Sequence, residues 1–388
     1  MKINFHFTRS LENKIMRTGL AQIPLDYGTC PRWLFEKMTR LGRLIAEAIV
    51  LEFGPEEFIR RLANPFFFQS LGSVLAFDWN SSGLTTTLCG ALKEALRGTE
   101  KDLGIFVAGG KGKTSRKTPQ QIEDFGWRFG LGFAPRLIYA SRMSAKVDSA
   151  ALQDGFALYH HSFFFTKTGS WSVVQQGMNT GIKQARRYHW NSDAFQNFVE
   201  EPQAAICSNV KVKPLNLVAK ESSQTRDYSV DLIRENFNSL LTDLKRISWK
   251  SALAAQSKKL NMRPFAFMSL PSDEQQPPAF LSFDYRRVEK VLLGAREQNP
   301  ANFEELLSKT SVGPTTLRAL ALVAEIIYGA RPSYQDPVRY SFAHGGKDGY
   351  PYAVDKENYE KSIAILQRAV TKAKIGQIEK IKILKRLS

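Results

Sequence analysis

The chain has 388 residues, a length that predicts about two or three domains. Its formal net charge of +17 at pH 7 favours an anionic partner, and nucleic acid is the first to consider. Charge alone discriminates poorly, because solvated basic surfaces are also common in proteins from hot environments. The three cysteines, Cys30, Cys89 and Cys207, lie far apart without a CxxC pair, which argues against a disulfide framework or zinc and favours a reducing cytosol.

The N-terminal region is predicted to be mainly helical. Met16 is a second plausible start, which would make residues 1–15 an appended lead-in. Pro31 begins an amphipathic helix that Gly54 and Pro55 end, and further helical patterns follow as far as Gly98. No apolar run approaches the length of a membrane span, and the first residues lack the apolar core of a signal peptide. We therefore expect a cytoplasmic protein without a membrane partner.

The segment Gly104 to Pro119, GIFVAGGKGKTSRKTP, raises the question of nucleotide binding. A P-loop needs a glycine five places before Gly112, and Val107 stands there, so no nucleotide cofactor is expected. What remains is a basic, glycine-rich loop suited to backbone phosphates, or simply a solvated flexible loop. Its candidate nucleic-acid contacts are Lys111, Lys113, Arg116 and Lys117.

A helix followed by a strand hairpin is predicted next. The pattern favours a helix from Ser141 to His161, and Lys167 to Ser170 then forms the turn between two strands. That turn brings His160 or His161 opposite Gln175 or Gln176, and neighbouring histidines of a strand point to opposite faces. On one helix Asp148 and Asp154 would lie about 120° out of alignment, so they do not form a paired carboxylate site by themselves.

Polar residues nevertheless converge at the open end of this hairpin. They could activate water or orient a phosphodiester, with Asp148 and Asp154 as candidate ligands for Mg²⁺ or Mn²⁺. The alternative is a satisfied buried polar network that positions the hairpin on the helix. The candidate catalytic residues are Lys146, Asp148, Asp154, His161 and Gln176.

Two further segments favour nucleic acid. In KQARRYHW the cations Arg186 and Arg187 stand beside the rings of Tyr188, His189 and Trp190, as on surfaces that contact phosphates and stack bases, although Trp190 could equally be core. Phe303 to Tyr328 has the layout of a helix-hairpin-helix, with Pro314 beginning a second helix whose free N–H groups could face a phosphate. The candidate contacts in this turn are Val312, Gly313 and Thr315.

The turn resembles the G-h-G-P-x-T hairpin of many repair proteins, but Ser311 replaces the first glycine. An ordinary helical hairpin remains the alternative. The last segment, from Glu357 to Ser388, is predicted to be a basic helical tail.

A wider resemblance runs through nearly the whole chain from Met16. It rests on MRTGLAQIPLDYGTCPRWLFEKM, FVAGGKGKTSRKTP, YASRMSAKVDSAALQDGFALYHHSFFFT, WSVVQQGMN, SVGPTTLRALALVAEIIYGA and SFAHGGKDGYPY. Together they resemble domain of unknown function family 763. The resemblance implies a cytoplasmic protein of archaeal or thermophilic type with a helix-hairpin-helix near its C-terminus, and it brings no established reaction. Thr315 stands where related sequences often carry lysine.

These patterns predict an α+β protein with three parts: a helical region at 16–103, a central α+β domain with an antiparallel hairpin at 104–220, and a helical C-terminal domain at 221–388 with the helix-hairpin-helix at 303–328. We expect a DNA-binding protein of repair or processing, with metal-dependent nuclease activity as its enzymatic form. One alternative is a non-enzymatic module that binds nucleic acid, RNA included. Another is a base-excision glycosylase that uses Asp336, which lies 23 residues after Gly313.

Overall fold

The computed structural model describes residues 25, 30–75, 82–193, 195–208, 210–259 and 283–338, and single positions in the C-terminal tail at 364, 367, 368, 371 and 381. The start predicted at Met16 and nearly all of the predicted tail helix lie outside these residues. Among the described residues, no helix has the length and apolar character that crossing a membrane requires.

From residue 30 onward, the described part of the chain forms five helices before the first strand of the sheet. The helices are α1 (Arg32–Phe53), α2 (Pro55–Leu62), α3 (Pro65–Val74), α4 (Ser82–Leu96) and α5 (Glu100–Leu103). Then follow β1 (Ile105–Lys111), a 3-10 helix (Gly112–Lys117), α6 (Thr118–Phe129), α7 (Ala134–Lys146), a π-helical turn (Val147–Ala151), β2 (Leu152–Gln153), β3 (Ala157–Thr166), β4 (Trp171–Asn179), β5 (Gln184–Asn191), β6 (Ala205–Cys207) and β7 (Leu215–Asn216). Further α-helices up to residue 338 are α8 (Ser223–Arg234), α9 (Phe237–Lys259), α10 (Tyr285–Glu297), α11 (Phe303–Lys309) and α12 (Pro314–Tyr328). The α+β class expected from the sequence is confirmed.

An antiparallel sheet of five strands forms the centre, in the order β1-β3-β4-β5-β6. The predicted hairpin is β3 and β4, and its register is confirmed, because His160 pairs with Gln176 and His161 with Gln175. The strands β2 and β7 form a separate small ladder.

Helices cover both faces of the sheet. On one face α1 to α4 share a core with Val107, Phe164 and Val174; we call it the N-terminal face. On the other, α6 to α12 share a larger core with the sheet residues Phe106, Phe163 and others; we call it the C-terminal face. Since side chains alternate along each strand, every neighbouring pair of sheet residues is divided between the two faces.

The helix predicted from Ser141 to His161 is wrong at both ends, because α7 already begins at Ala134 and ends well before His161. α7 ends at Lys146, the π-helical turn carries the chain to Ala151, and His160 and His161 belong to β3. The interruption has a local cause. Gly155 adopts a positive φ of 83°, and Asp154 Oδ1 accepts a hydrogen bond of 3.1 Å from Phe156 N, a turn that competes with helix.

The first half of the segment predicted as a glycine-rich loop, Ile105 to Lys111, is strand β1. Ile105 to Ala108 are buried on alternate faces, and the 3-10 helix begins after Lys111. Gly109 has a φ of 87°, and a Cβ there would lie 2.1 Å from His161 O of the paired strand. The glycine therefore permits close approach between strands, a use that composition alone does not distinguish from loop flexibility.

The helical pair predicted at 303–328 is present as α11 and α12. The Asn302 side chain caps α11 by accepting a 2.9 Å hydrogen bond from Glu305 N, and Pro314 stands in the first turn of α12. Both helices bury their apolar sides in the core of the C-terminal face.

Candidate functional site

Asp148 lies at the centre of a buried polar network on the C-terminal face. Its Oδ2 accepts hydrogen bonds from Gln175 Nε2 at 2.6 Å and Trp190 Nε1 at 2.8 Å, and its Oδ1 accepts one from Gln203 Nε2 at 2.6 Å. The residue is 1% exposed. Burial is the main cause that raises the pKa of Asp148 to about 7, and the donated hydrogen bonds work against it.

The network continues from Gln175 to α7. Gln175 Oε1 lies 2.8 Å from His161 Nδ1, and His161 Nε2 lies 2.9 Å from Ser141 Oγ. Burial lowers the pKa of His161 to about 4, although the Gln175 hydrogen bond opposes it, so the imidazole is neutral at pH 7. A neutral imidazole needs one donor and one acceptor, and this chain of side chains provides both. We call Ser141, Asp148, His161, Gln175, Trp190 and Gln203 the Asp148 network.

Asp154 belongs to a second buried group. Its Oδ2 accepts from Arg186 Nη1 at 3.0 Å and from the Tyr188 hydroxyl at 2.7 Å. Arg186 Nη2 also donates to Asp336 Oδ2 at 2.8 Å, and Asp336 accepts from the backbone N–H groups of Val212 and Val338. Burial opposes the charge of Arg186, but Asp154 and Asp336 outweigh it and raise the pKa of the guanidinium.

Gln176 and Arg187 are on the N-terminal face, so Gln176 is separated by the sheet from Asp148, Asp154 and His161. Gln176 donates to Ser82 O at 2.8 Å and accepts from the Thr85 hydroxyl. Arg187 Nε donates to His189 Nε2 at 2.9 Å. The prediction that Gln176 lines one centre with the two aspartates is wrong, because residues 175 and 176 point to opposite sides of the strand.

The predicted catalytic residues are thus mostly enclosed. Asp148, Asp154, His161 and Gln176 are between 0% and 6% exposed, and each is engaged by protein groups. Among the residues that the structure describes, no group of three or more His, Cys, Asp or Glu side chains is placed to hold a metal ion. These contacts favour the alternative interpretation of the sequence, a satisfied polar network.

Arg186 and Arg187 are 0% and 1% exposed, which argues against their contacting a nucleic-acid strand directly. They directly precede Tyr188, His189 and Trp190 in a strand that is buried on both faces, and Trp190 is core. This run of cations and rings therefore marks a strand with two polar interior faces.

The basic segment of residues 111–117 is exposed, as its predicted role requires. Lys111, Lys113, Arg116 and Lys117 all lie at the surface, at the end of β1 and in the 3-10 helix. The segment is an ordered turn, since Ser115 Oγ donates to Gly112 O at 2.6 Å and Thr118 Oγ1 donates to Ser115 O at 2.6 Å.

A groove of about 660 Å³ begins beside this segment, between α6, α7 and α11. Its lining includes Pro119 and Gln120 on the α6 side, Arg142 and Lys146 on α7, and Thr310 on the α11 side. We call it the α7 groove. Lys146 Nζ donates to Val312 O, and burial lowers the pKa of Lys146. Lys146 thus fixes the turn between α11 and α12 against α7 and lies beside the groove, away from the Asp148 network.

The turn itself presents its residues unequally. Ser311 and Thr315 are exposed and Gly313 is half-buried, whereas the Val312 side chain is fully buried. The Val312 N–H donates a hydrogen bond of 3.2 Å to Thr310 Oγ1, and the Val312 carbonyl accepts one from Lys146 Nζ. Val312 is therefore ill placed to contact a phosphate. The N–H of Thr315, in the first turn of α12, has no acceptor within the helix.

Sequence reasoning missed one exposed residue of this region. Trp127 on α6 is 85% exposed. Ile122, Phe125 and Phe129 recur at helical spacing as the apolar side of α6, and Trp127 falls about 140° away from Ile122. That offset was the signal available in the sequence. Gln203, the third donor to Asp148, comes from an irregular segment and had no such signal.

Comparison with known proteins identifies the family. The model of the family "Protein of unknown function (DUF763)" matches residues 19–354. No curated protein and no solved structure matches the chain. Since the family model spans most of the sequence, the chain belongs to the DUF763 family.

Proposed function

We propose that the protein binds DNA along the α7 groove, as a component of DNA repair or processing. The observation that carries the proposal is the course of the groove. Its α6 side follows directly on the basic segment, since Pro119 and Gln120 come after Lys117, and its α11 side reaches Thr310, next to the turn before α12. Two segments far apart in sequence, each with the composition of a phosphate contact, therefore border one continuous surface.

Charge supports an anionic polymer over a small ligand. Four exposed cations in residues 111–117 directly precede Pro119 on its α6 side, Arg142 and Lys146 line the groove, and Glu123 is the acidic residue of its lining. Cations spread along a surface neutralise successive backbone phosphates and give binding that does not depend on base sequence.

The turn at α12 adds backbone donors. The N–H groups of the first helical turn and the positive end of the helix dipole favour a phosphate there. Gly313 has an extended backbone with a φ of −120°, and no atom lies within 4 Å of where its Cβ would be, so a phosphate oxygen could come close. In this proposal Gly313 and Thr315 hold the strand and Lys146 holds the turn.

Binding, not cleavage, is the centre of the proposal. The carboxylates of Asp148 and Asp154 are occupied by internal donors, and Asp336, the aspartate of the glycosylase alternative, has a side chain only 4% exposed and paired with Arg186. A nuclease would need these groups to open toward the groove. A binding assay that also detects cleavage therefore tests both enzymatic hypotheses together with the binding one.

We further propose a cytoplasmic location. All three cysteines are free, with Cys89 and Cys207 buried, as befits a reducing compartment.

The test is a salt-titrated binding assay with labelled duplex, single-stranded and base-damaged duplex DNA and a matching RNA, with and without Mg²⁺ or Mn²⁺, analysed in parallel on a denaturing gel. The variant Lys113→Ala/Arg116→Ala/Lys117→Ala is expected to weaken DNA binding about tenfold or more. The slope of log affinity against log salt concentration should also become shallower by about one for each phosphate that the variant's side chains no longer neutralise.

The control carries three substitutions of the same types at exposed positions of α9 and α10: Lys245→Ala, Arg286→Ala and Lys290→Ala. It should bind nearly as the wild type does. Equal reductions of affinity in the two triple variants, or no binding by the wild type at about 50 mM salt, would overturn the proposal. Preference for RNA would change the partner, and metal-dependent cuts or abasic product would restore an enzymatic interpretation.

A further inference from the structure

The exposed ring of Trp127 stands beside a shallow hollow next to the α7 groove. The hollow has a volume of about 450 Å³ and is formed by the end of α6, the turn after it and the start of α7. Glu123, Pro135 and Ile138 line both the hollow and the groove, so the two are parts of one surface. A ligand in the groove can therefore reach Trp127 without leaving the protein.

Glycines, which have no side chain, leave this hollow open. Gly130 and Gly132 both line it, and a Cβ at either position would meet no atom within 4 Å. Gly126 lets α6 approach α7 closely, because its Cβ would lie 2.8 Å from Ala134 Cβ. The result is an open, mostly apolar space next to a large ring, with a size and shape suited to a flat group.

The groove next to the hollow carries cations. Arg142 and Lys146 line it, and Arg142 is exposed. An exposed tryptophan beside a cationic groove is suited to stacking on a flat ring while the cations bind phosphates. In a duplex the faces of the bases are covered by their neighbours, so only an unpaired nucleotide offers one.

We infer that Trp127 stacks on an unpaired base, and that the nucleic acid bound along the α7 groove is single-stranded DNA. The strand lies with its backbone toward Arg142 and the basic segment, and one base enters the hollow over Gly132. This inference rests on the proposed function and adds the class of substrate to it. It gives no preference for sequence, because every base has a face on which a ring can stack.

The experiment measures affinity for a fluorescein-labelled oligothymidylate of about 20 nucleotides and for a duplex of the same length. Trp127→Ala is expected to lose about tenfold in affinity for the single strand and much less for the duplex, and Trp127→Phe to keep part of that affinity. Gly132→Leu, which fills the hollow and has open space for its Cβ, should reproduce the loss without removing the indole.

Trp33→Ala is the matched control, since Trp33 is also exposed, at 61%, but belongs to α1 on the other side of the sheet. The intrinsic fluorescence of the wild type should be quenched by the single strand, and this quenching should diminish in Trp127→Ala but persist in Trp33→Ala.

Equal affinity of wild type, Trp127→Ala and Gly132→Leu for the single strand would overturn the inference, as would equal reductions of affinity for the single strand and the duplex. If these variants bind normally while the Lys113/Arg116/Lys117 variant loses affinity, only the stacking role fails. If the wild type binds neither nucleic acid, the proposed function fails with it. If Trp127→Ala instead weakens binding to vesicles of anionic lipid and not to the oligonucleotide, the surface serves a membrane and the inference is wrong.

Discussion

Asp148 is held between two opposing effects. Three side chains donate hydrogen bonds to its two oxygens, an arrangement that suits an ionised carboxylate. Its complete burial favours the neutral acid, and burial is the larger effect, so the pKa is about 7. Hydrogen bonding thus recovers part, but not all, of the free energy that ionising this group inside the protein costs.

This balance predicts an unusual dependence of stability on pH. Between the unfolded pKa of 3.8 and the folded pKa of about 7, the folded state binds a proton that the unfolded state does not. The free energy of unfolding contributed by Asp148 therefore falls as pH rises through that window, by about 4 kcal/mol at most, and is constant above it. Urea unfolding of the wild type at several values between pH 4 and pH 8 would measure it.

The matched variant is Asp148→Asn, which has the same shape but does not titrate. From pH 4 to pH 7 the unfolding free energy of the wild type should fall relative to that of Asp148→Asn. A constant difference over this range would mean that the three donors keep Asp148 ionised throughout, and that its folded pKa is near the ordinary value.

The turn between α11 and α12 offers a test at the scale of one element. At Gly313 the backbone is extended and space for a side chain is open, so Gly313→Ala and Gly313→Glu should both fold with thermal midpoints near the wild type's. Glu adds a negative charge beside the N–H groups of the first turn of α12. We expect Gly313→Glu to bind DNA about tenfold more weakly and Gly313→Ala to bind nearly normally. Similar affinity of the two variants would mean that the turn does not contact phosphate.

The elements that the sequence predicted well are those whose signals are local. The β3–β4 hairpin follows from two β-rich runs around one short turn, and that turn alone fixes the pairing of His161 with Gln175. α11 and α12 follow equally from their apolar spacing and from Pro314 at the start of α12. In these places pattern, turn residues and tertiary packing all agree.

Where prediction failed, the deciding contacts are distant in sequence. The burial of Arg186 depends on Asp336, 150 residues away, and that of Arg187 on Gln69 and Thr85 in the N-terminal helices. A basic run is interpreted as surface unless such partners are known. The α7 groove is equally distant from any local signal, because Thr310 and Gln120 meet only through the packing of α6, α7 and α11.

At the scale of the whole molecule, the sheet packs against helices on both of its faces and shares a hydrophobic core with each group of helices. Its N-terminal face carries Ile105, Val107, Phe164 and Val174 in the core of the first helices, and they are at most 6% exposed. Each such side chain contributes about 1.5–3 kcal/mol when buried, so removing the helices would forfeit about 6–12 kcal/mol. That is comparable to the whole stability of a typical domain.

We therefore predict that residues 104–388 do not fold alone, although the composition of the chain suggests a boundary near Gly104. Expressed by itself, this fragment should aggregate or lack a cooperative thermal transition, and coexpression with residues 1–103 should restore a soluble complex. The control is the full chain with a protease site inserted at the exposed Gly98, which after cleavage keeps all its contacts and should stay associated with its transition intact. If the fragment is soluble alone and unfolds cooperatively at the temperature of the full chain, the N-terminal helices are a separate domain. The polar groups that these helices bury on the sheet, Gln176 and Arg187 among them, would then tolerate contact with water.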